Sequence, residues 1–408
     1  MAVIAVIACC DTKYHEILFV KEKIQAAGMQ PLILDISTGP EVPIRADISR
    51  EQVLTMGGYT WEQVCTMDKS GAISAMTDSI CRMIFQLYEK KEIDGVIGMG
   101  GLQNTVVCSA ALRLLPIGFP KLICSTIASG FRYFDTVVGD KDIVVLPSIV
   151  DFAGMNPISE AVLGNAVGAM IGMVSCGGAL IETRGECYIA ATLMGITNDT
   201  VMQAANELTE KGRRTISFHS TGIGGSVMED LIRKGVIGAV MDLSLHEMTA
   251  EYFGGYGYSK GADHRLCAAA QMGIPALICP GGIDFACLRP DELFEDTKER
   301  GYVWHNKNLT HTRLYEHEIL EITKTIVSRL NQSKGKTEVI LPLGGLRTLS
   351  RPGEIFHKPD TIRKMRRIFE EELKPEIIFK AYDLNFCDPE FAHICAEEME
   401  GLLKAEGM

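Results

Sequence analysis

The sequence GVIGMGGLQNT, residues 95–105, combines residue types that can bind an anion. An apolar run ends in two glycines, and a helical pattern follows. Glycines at a strand-to-helix turn let backbone amides approach a phosphate closely, and the helix adds its positive end. Thr105 can cap that helix or donate to a phosphate oxygen. The loop therefore predicts an anion-binding site formed by Gly100, Gly101, Gln103, Asn104 and Thr105.

Other polar loops of the first half also follow apolar runs. They supply Asp11, Thr12 and Lys13, then Ser37 and Thr38, then Ser125, Thr126, Ser129 and Gly130. Because ligands of an open parallel sheet bind outside the carboxyl ends of its strands, these loops predict one crevice. Lys13 offers phosphate a positive charge, and Asp11 can hold Mg²⁺ directly or through water. Tight turns and helix caps use the same residue types, so each loop taken alone also fits a structural role.

Motifs and charge limit the ligand class. The sequence has no GxxxxGK[ST] motif, and GMGGLQ does not satisfy GxGxxG, so the loops predict an anion-binding crevice rather than a named cofactor. The net charge of −12 argues against broad nucleic-acid binding, which needs a basic face. A small phosphorylated ligand stays compatible with it, because local amides can override the overall field.

The second half carries another set of polar residues at predicted strand ends. His219, Glu229 and Asp242 are candidates for acid–base catalysis. Candidate substrate-binding residues are Thr221, Gly222, Gly224, Gly225, Asp284 and Arg313. No HExxH or similar spacing occurs, so no dedicated metal site is predicted. His311 and His317 fall in a charged stretch interpreted as helix, where solvent-exposed positions are expected.

Short apolar segments alternate with helical patterns along the chain, as in parallel sheets covered on both faces. The pattern restarts near residue 186, and the charged segment ETRGE, residues 182–186, is the expected seam. We therefore predict an α/β fold with two consecutive Rossmann-like, doubly wound domains and mainly parallel sheets. Residues 1–184 form the expected nucleotide-binding domain, and residues 185–408 the expected substrate or partner domain.

Cysteine usage and the first residues predict a cytoplasmic protein. The 13 cysteines include no CxxC pair, which favours reduced thiols. An apolar strand follows Met1 directly, without the basic region and cleavage site of a secretory signal. The uncharged segment 161–181 is long enough to span a bilayer, but its glycines, alanines and polar residues favour a buried or dimer-interface helix.

Several stretches in order resemble one known family: CDTKYHEI, GVIGMGGLQNT, LICSTIASG, PSIVDFAGMNPIS, FHSTGIGGSVMEDLI and DLSLHEM. Together they are similar to the family of the tomato mosaic virus resistance protein, over essentially the whole chain. The resemblance implies two Rossmann-like subdomains, ATP with Mg²⁺ in the N-terminal one, and homodimers. It matches Asp11, Thr12 and Lys13 to the family's DTK turn. Its glycine loop, which usually reads GGSGGT, here has Leu102 and Asn104 at two positions, so a changed phosphate contact is expected.

Three hypotheses for function follow. The first is a cytosolic homo-oligomer that binds ATP and Mg²⁺ at the N-terminal sheet edge, with a small-molecule site in the second domain. The second is a nucleotide-dependent binding module without turnover. The third is a metabolic enzyme acting on a small carboxylate, which requires Arg265 or Arg313 to face the crevice and bind the anion.

Overall fold

The structure, a computed structural model, describes residues 1–39, 42–128, 135–177, 187–253 and 265–408, without the side chains of residues 135 and 136. The chain divides into two compact units, Met1–Ile181 and Glu182–Met408. The expected domain boundary after residue 184 and the expected seam at 182–186 lie outside the described residues. All 13 cysteines are free thiols.

The N-terminal unit is built around a five-stranded parallel sheet. Its strands are β1 (Val3–Ala8), β2 (Gln30–Asp35), β3 (Gly95–Gly100), β4 (Lys121–Ser125) and β5 (Val144–Pro147). Its helices are α1 (Tyr14–Ala26), α2 (Arg50–Gly57), α3 (Trp61–Cys65), α4 (Lys69–Glu89), α5 (Leu102–Leu112), α6 (Asp135–Val138) and α7 (Pro157–Cys176). The strand order is β2-β1-β3-β4-β5. The order therefore reverses between β1 and β3, where open α/β sheets bind their ligands.

Alternation along β1 explains why helices cover both faces of this sheet. Ile4, Val6 and Ala8 pack on the side of α1 and α7, whereas Ala5 and Ile7 pack on the side of α4 and α5. All five are buried. A strand buried on both faces reads as a continuous apolar run, because successive side chains point to opposite sides.

The C-terminal unit contains a second parallel sheet and a small antiparallel one. The parallel strands are β6 (Tyr188–Leu193), β7 (Arg214–His219), β8 (Ile237–Ser244), β9 (Ala276–Gly281), β13 (Thr337–Pro342) and β14 (Ile378–Tyr382), in the order β14-β13-β9-β8-β6-β7. The antiparallel strands are β10 (Phe285–Leu288), β11 (Tyr302–Asn306) and β12 (Leu309–Arg313), in the order β10-β12-β11. In the parallel sheet, strand order reverses between β6 and β8.

The helices of this unit are α8 (Asn198–Glu210), α9 (Ile223–Arg233), α10 (His246–Phe253), α11 (Ala268–Met272), α12 (Thr297–Arg300), α13 (Glu316–Leu330), α14 (Pro359–Glu372) and α15 (Pro389–Ala405). The core of one sheet face packs side chains of α8 and α15, among them Val201, Leu208, Phe391 and Met399. The predicted fold class, two consecutive Rossmann-like α/β units with parallel sheets, is confirmed.

Helix α7 differs from a core helix. It is the one described helix long and apolar enough to cross a bilayer by length and composition, yet only 28% of its apolar window is buried. Gly164, Gly168 and Gly172 recur at four-residue spacing, and a Cβ at any of them would meet no atom within 4 Å. The helix is therefore not packed all round within its own unit, and the dimer-interface interpretation stays a prediction.

Candidate functional site

The N-terminal candidate site lies where β1 and β3 end. Gly100 has φ +144°, and Gly101 precedes the first residue of α5. The backbone amides of Leu102, Gln103 and Asn104 have no hydrogen-bond partner within the described part of the chain. The first amides of a helix lack intrahelical partners and favour an anion. Gly101 and these amides therefore form a candidate anion-binding element of the N-terminal unit.

Leu102 and Asn104, where the glycine loop departs from the family pattern, behave differently. The Leu102 side chain is 56% exposed, so it does not fill the site. Asn104 is buried, and its Nδ2 donates to the carbonyl of Met99 at 3.4 Å while its Oδ1 accepts from the thiol of Cys9 at 3.0 Å. A Cβ on Gly100 would lie 2.4 Å from Asn104 Nδ2, so glycine is required beneath this side chain. Asn104 thus stabilises the glycine loop through buried hydrogen bonds with Met99 and Cys9.

Two predicted phosphate-binding hydroxyls already have partners. Thr105 Oγ1 donates to the carbonyl of Gly101 at 2.8 Å and lies 2.6 Å from Ser125 Oγ. Ser125 Oγ also accepts from the amide of Ile127 at 3.2 Å. Both side chains are buried. Their hydroxyls therefore fix the loops after β3 and β4 to one another.

Asp11 and Lys13 flank the same sheet edge. Asp11 Oδ2 accepts from the amide of Gly39 at 3.1 Å, and its Oδ1 is buried without a partner among the described residues. Ser37 Oγ accepts from the amide of Asp11 at 3.0 Å and donates to Asp35, which joins the loops after β1 and β2. The Lys13 ammonium donates to the carbonyl of Phe152. An unpaired carboxylate oxygen and an ammonium at one edge suit a metal-bound phosphate.

The remaining residues of the predicted crevice are less informative. Gln103, Thr38 and Thr126 are partly exposed, and Thr12 is exposed. Ser129 and Gly130 lie outside the described residues. A cavity of about 600 Å³ lies beyond the end of β2 and is lined by Asp35, Arg45, Ser49 and Arg50 among others. None of the residues predicted to form the crevice is among the residues that line it.

In the C-terminal unit, the glycines of the turn after β7 accommodate a buried carboxylate. Glu247 Oε1 accepts from the amides of Gly222 and Gly225 at 2.5 and 3.0 Å. A Cβ on Gly225 would lie 2.0 Å from Glu247, and one on Gly224 would lie 2.1 Å from the carbonyl oxygen of His219. The positive end of α9 is therefore occupied by a side chain of the protein itself.

Glu229 and Asp242 belong to the same buried ionic cluster, which is centred on Arg265. Its guanidinium donates to Asp242 at 2.8 and 3.0 Å, to Glu229 at 3.0 Å and to Glu247 at 2.6 Å. All four side chains are almost fully buried. Burial raises the pKa of Glu229 and of Glu247 despite the nearby guanidinium. This pairing favours a structural role for the two carboxylates predicted to be catalytic.

His219 and Thr221 lie elsewhere, on a cavity of about 540 Å³ at the switch between β6 and β8. Thr221 Oγ1 is 3.0 Å from His219 Nδ1. His246, His305 and His311 complete the polar lining, and the apolar lining includes Met194, Ile196, Ile223 and Leu309. We call this the histidine-lined cavity. Within the described part of the chain, no group of three or more His, Cys, Asp or Glu side chains is arranged to hold a metal ion.

His311 corrects the sequence interpretation, because it is neither helical nor exposed. It lies on β12, is 4% exposed, and its Nδ1 is 3.1 Å from Arg347 Nη1. Burial and the charge of Arg347 lower the pKa of His311 to about 3. His317 is exposed on α13, as expected. The β-branched residues Thr310 and Thr312 were the available strand signal, and the surrounding charged residues obscured it.

His246, the first residue of α10, is not among the predicted site residues. It is 2% exposed, and its Nδ1 is 3.0 Å from the carbonyl of Gly282, whereas its Nε2 has no partner among the described residues. Burial lowers the pKa of His246 to about 4. The rings of His246 and His311 both contact Phe285, with centroid distances of 4.3 and 4.4 Å.

Asp284 and Arg313 lie outside the lining of this cavity. Asp284 accepts from Ser350 Oγ at 2.6 Å and pairs with Arg347 at 3.2 Å. It thereby fixes the guanidinium that contacts His311. Arg313, at the end of β12, is partly exposed, and its Nε is buried without a partner in the described ranges. Asp284 thus stabilises the position of His311 through Arg347, although it does not line the cavity itself.

Comparisons with known proteins cover both units. Models of the "Uncharacterised protein family (UPF0261)" N-terminal and C-terminal domains match residues 2–178 and 186–403. A UPF0261 protein of Clostridium tetani is 33% identical over 98% of this chain and 99% of its own length. The ToMV resistance protein Tm-1(GCR237) of Solanum lycopersicum is 30% identical over 95% of this chain, which spans 54% of that relative. The family resemblance inferred from the motifs is confirmed.

Among solved structures, a putative UDP-N-acetylglucosamine 2-epimerase from Listeria monocytogenes matches with 11% identity and a TM-score of 0.24. The match covers 68% of this chain and 78% of that one. At this TM-score the likeness supports no inference about the function of the chain.

Proposed function

The chain belongs to the uncharacterised protein family UPF0261, and we propose that its N-terminal unit binds ATP with Mg²⁺ at the carboxyl edge of the β2-β1-β3-β4-β5 sheet. The observation that carries the proposal is the row of amides at Leu102, Gln103 and Asn104, which have no hydrogen-bond partner among the described residues. They lie beside the turn formed by the buried Gly100 and the partly exposed Gly101. These amides begin an 11-residue helix, so they add its positive end to the site.

The residues present fit a magnesium–phosphate group. Amides of α5 and the Lys13 ammonium supply donors for phosphate oxygens, and Asp11 Oδ1, buried without a partner among the described residues, supplies an oxygen for Mg²⁺. Thr105 and Ser125 contribute by holding the loops, because their hydroxyls already bond each other. The metal ion would neutralise phosphate charge, and the chain's own residues would orient the phosphates.

A second candidate is a nucleotide-dependent binding module without turnover. It is favoured by the ionic cluster, in which Glu229 and Asp242 are buried and bonded to Arg265. In the small-carboxylate hypothesis, Arg265 is not available to bind the substrate anion, because its guanidinium already donates to three carboxylates. Arg313 stays a candidate for that role.

Thermal unfolding of the full chain, followed by Trp61 fluorescence in the N-terminal unit, tests the first proposal. ATP with Mg²⁺ at about a hundred times its dissociation constant should stabilise the fold by about 2.7 kcal/mol. Lys13→Ala should weaken binding about tenfold or more, because it removes a charge-assisted hydrogen bond. Lys23→Ala, in the last turn of α1, is the matched control and should bind like the wild type.

Two results would contradict the proposal. One is a wild-type melting temperature that ATP with Mg²⁺ leaves unchanged. The other is equal nucleotide affinity in the Lys13→Ala and Lys23→Ala variants, measured calorimetrically below their melting temperatures.

A further inference from the structure

The protonation states of two buried histidines define the chemistry of the histidine-lined cavity. A carbonyl oxygen only accepts, so the contact with Gly282 places the proton of His246 on Nδ1. A guanidinium only donates, so the contact with Arg347 makes Nδ1 of His311 an acceptor and places its proton on Nε2. Both rings are neutral near pH 7, because their pKa values lie at about 4 and about 3.

The two histidines therefore offer opposite hydrogen-bonding groups. Nε2 of His246 is a buried acceptor without a donor, whereas Nε2–H of His311 is a donor for which the described ranges hold no hydrogen bond. Leaving a buried polar atom unpaired costs stability, so such an atom in a native fold requires an explanation such as a bound ligand or water. Both rings are held rigidly, one by Gly282 and Phe285 and the other by Arg347 and Phe285.

The lining of the cavity disfavours charged ligands. It contains no Asp, Glu, Lys or Arg side chain among the described residues. One of the helix N-termini at the cavity, that of α9, has its Gly222 and Gly225 amides bonded to Glu247. A carboxylate group could accept from His311 but could not donate to His246, and an ammonium group would meet the reverse difficulty.

We propose that the histidine-lined cavity binds an uncharged, polyhydroxylated small molecule, whose hydroxyl groups donate to Nε2 of His246 and accept from Nε2–H of His311. A hydroxyl both donates and accepts, so neighbouring hydroxyls satisfy both histidines. His219, Thr221 and His305 add further groups of mixed character, and Met194, Ile196, Ile223 and Leu309 offer apolar contact to the carbon skeleton. The volume, about 540 Å³, is in the range of small-molecule sites.

Ligand-observed NMR on the full chain tests the site with a matched series at millimolar concentration. D-glucitol is the neutral probe, D-gluconate and 1-amino-1-deoxy-D-glucitol are its anionic and cationic counterparts, and acetamide is a neutral probe without hydroxyls. D-ribose and myo-inositol extend the neutral set. At least one neutral polyol should bind saturably, at least tenfold more tightly than each charged counterpart and than acetamide.

Two substitutions test the assigned atoms. His246→Asn retains an amide donor for Gly282 but removes Nε2, and His311→Asn retains an acceptor for Arg347 but removes Nε2–H. Each should weaken polyol binding at least tenfold, whereas His317→Asn, at an exposed position on α13, should change it less than twofold. Should either variant fail to fold, ¹H–¹⁵N spectra of the wild-type histidine rings replace it. These spectra should show the assigned tautomers, and the Nε2 resonances of both rings should shift with polyol.

The proposal is overturned if no neutral polyol binds saturably, which would leave water as the partner of the two histidines. It is equally overturned if gluconate, the amine or acetamide binds more tightly than the polyols. A further contradiction would be polyol affinity in the His246→Asn variant within twofold of the wild type. None of these outcomes depends on nucleotide binding by the N-terminal unit.

Discussion

Replacing His246 by Asn should make the C-terminal unit less sensitive to acid. The pKa of this histidine falls from 6.5 to about 4 on folding because the ring is buried. Above pH 6.5 the ring is neutral in both states. Between pH 6.5 and 4 the unfolded chain binds a proton that the folded chain does not, so stability falls as the pH falls. At 1.36 kcal/mol per pKa unit, the full loss is about 3.4 kcal/mol.

Charged groups near this ring are retained in the variant. Gly282 keeps a donor, and the pair formed by Asp284 and Arg347 is unchanged. The variant should therefore lose stability less steeply than the wild type between pH 6.5 and 4.5, by about 1.4 kcal/mol for each pH unit. Carboxylates elsewhere titrate alike in both proteins, so their contributions cancel when the unfolding free energies of the variant and the wild type are subtracted.

Urea unfolding at a series of pH values measures this difference. Trp304 lies in the C-terminal unit and Trp61 in the N-terminal unit, so a Trp61→Phe background restricts the fluorescence signal to the unit of interest. His317→Asn, which changes an exposed ring, should follow the wild-type slope. Equal slopes for the wild type and His246→Asn would refute the assignment of a buried neutral His246.

Two further predictions concern the ionic cluster and α7. Arg265→Met should lower the free energy of unfolding of the C-terminal unit by about 3–5 kcal/mol at pH 7, because three buried carboxylates lose their partner. This loss of unfolding free energy should be smaller at pH 5, because Glu229 and Glu247 already have raised pKa values and protonate readily. An equal loss at pH 7 and pH 5, measured by Trp304 fluorescence, would contradict this prediction. Gly168→Leu should convert a dimer to a 44.7 kDa monomer in light scattering, because Leu blocks close approach of a second α7 without a clash in its own unit. Gly401→Leu, at an equally open glycine on α15, is the control and should leave the mass of the dimer unchanged. An unchanged dimer mass for Gly168→Leu would contradict the prediction that α7 forms the interface.

The inner strands of the parallel sheets, such as β1, β3 and β9, were predictable because they are buried on both faces. These strands read as continuous apolar runs, and Gly28 ends the helical pattern of α1 where the structure also ends it. The antiparallel strands β10, β11 and β12 were not recognised. Strands β11 and β12 are only five residues long and show no regular alternation of polar and apolar residues, which gave a weak signal. Helices α2 and α3 lie in a polar part of the sequence, where the helical pattern was also weak.

The residues at the sheet edges could be predicted from the sequence, but the hydrogen-bond and ion-pair partners of these residues could not. The sequence predicts Gly222, Gly224 and Gly225 as ligand-binding glycines, and spacing alone cannot show that Glu247 accepts from the amides of Gly222 and Gly225. Glu229 and Asp242 were likewise selected by residue type, whereas their partner Arg265 is distant in sequence. His246 and His311 become informative only through Gly282 and Arg347, which fix their tautomers by long-range contacts.

A crystal structure of the full chain with Mg²⁺ and a non-hydrolysable ATP analogue tests the central proposal most directly. Phosphate oxygens are expected within hydrogen-bond distance of the amides of residues 102–104, with Mg²⁺ near Asp11 and the Lys13 ammonium turned to the phosphates. A nucleotide bound with its phosphates away from the start of α5 would contradict the account. So would a crystal grown at saturating nucleotide that shows this edge of the sheet without nucleotide.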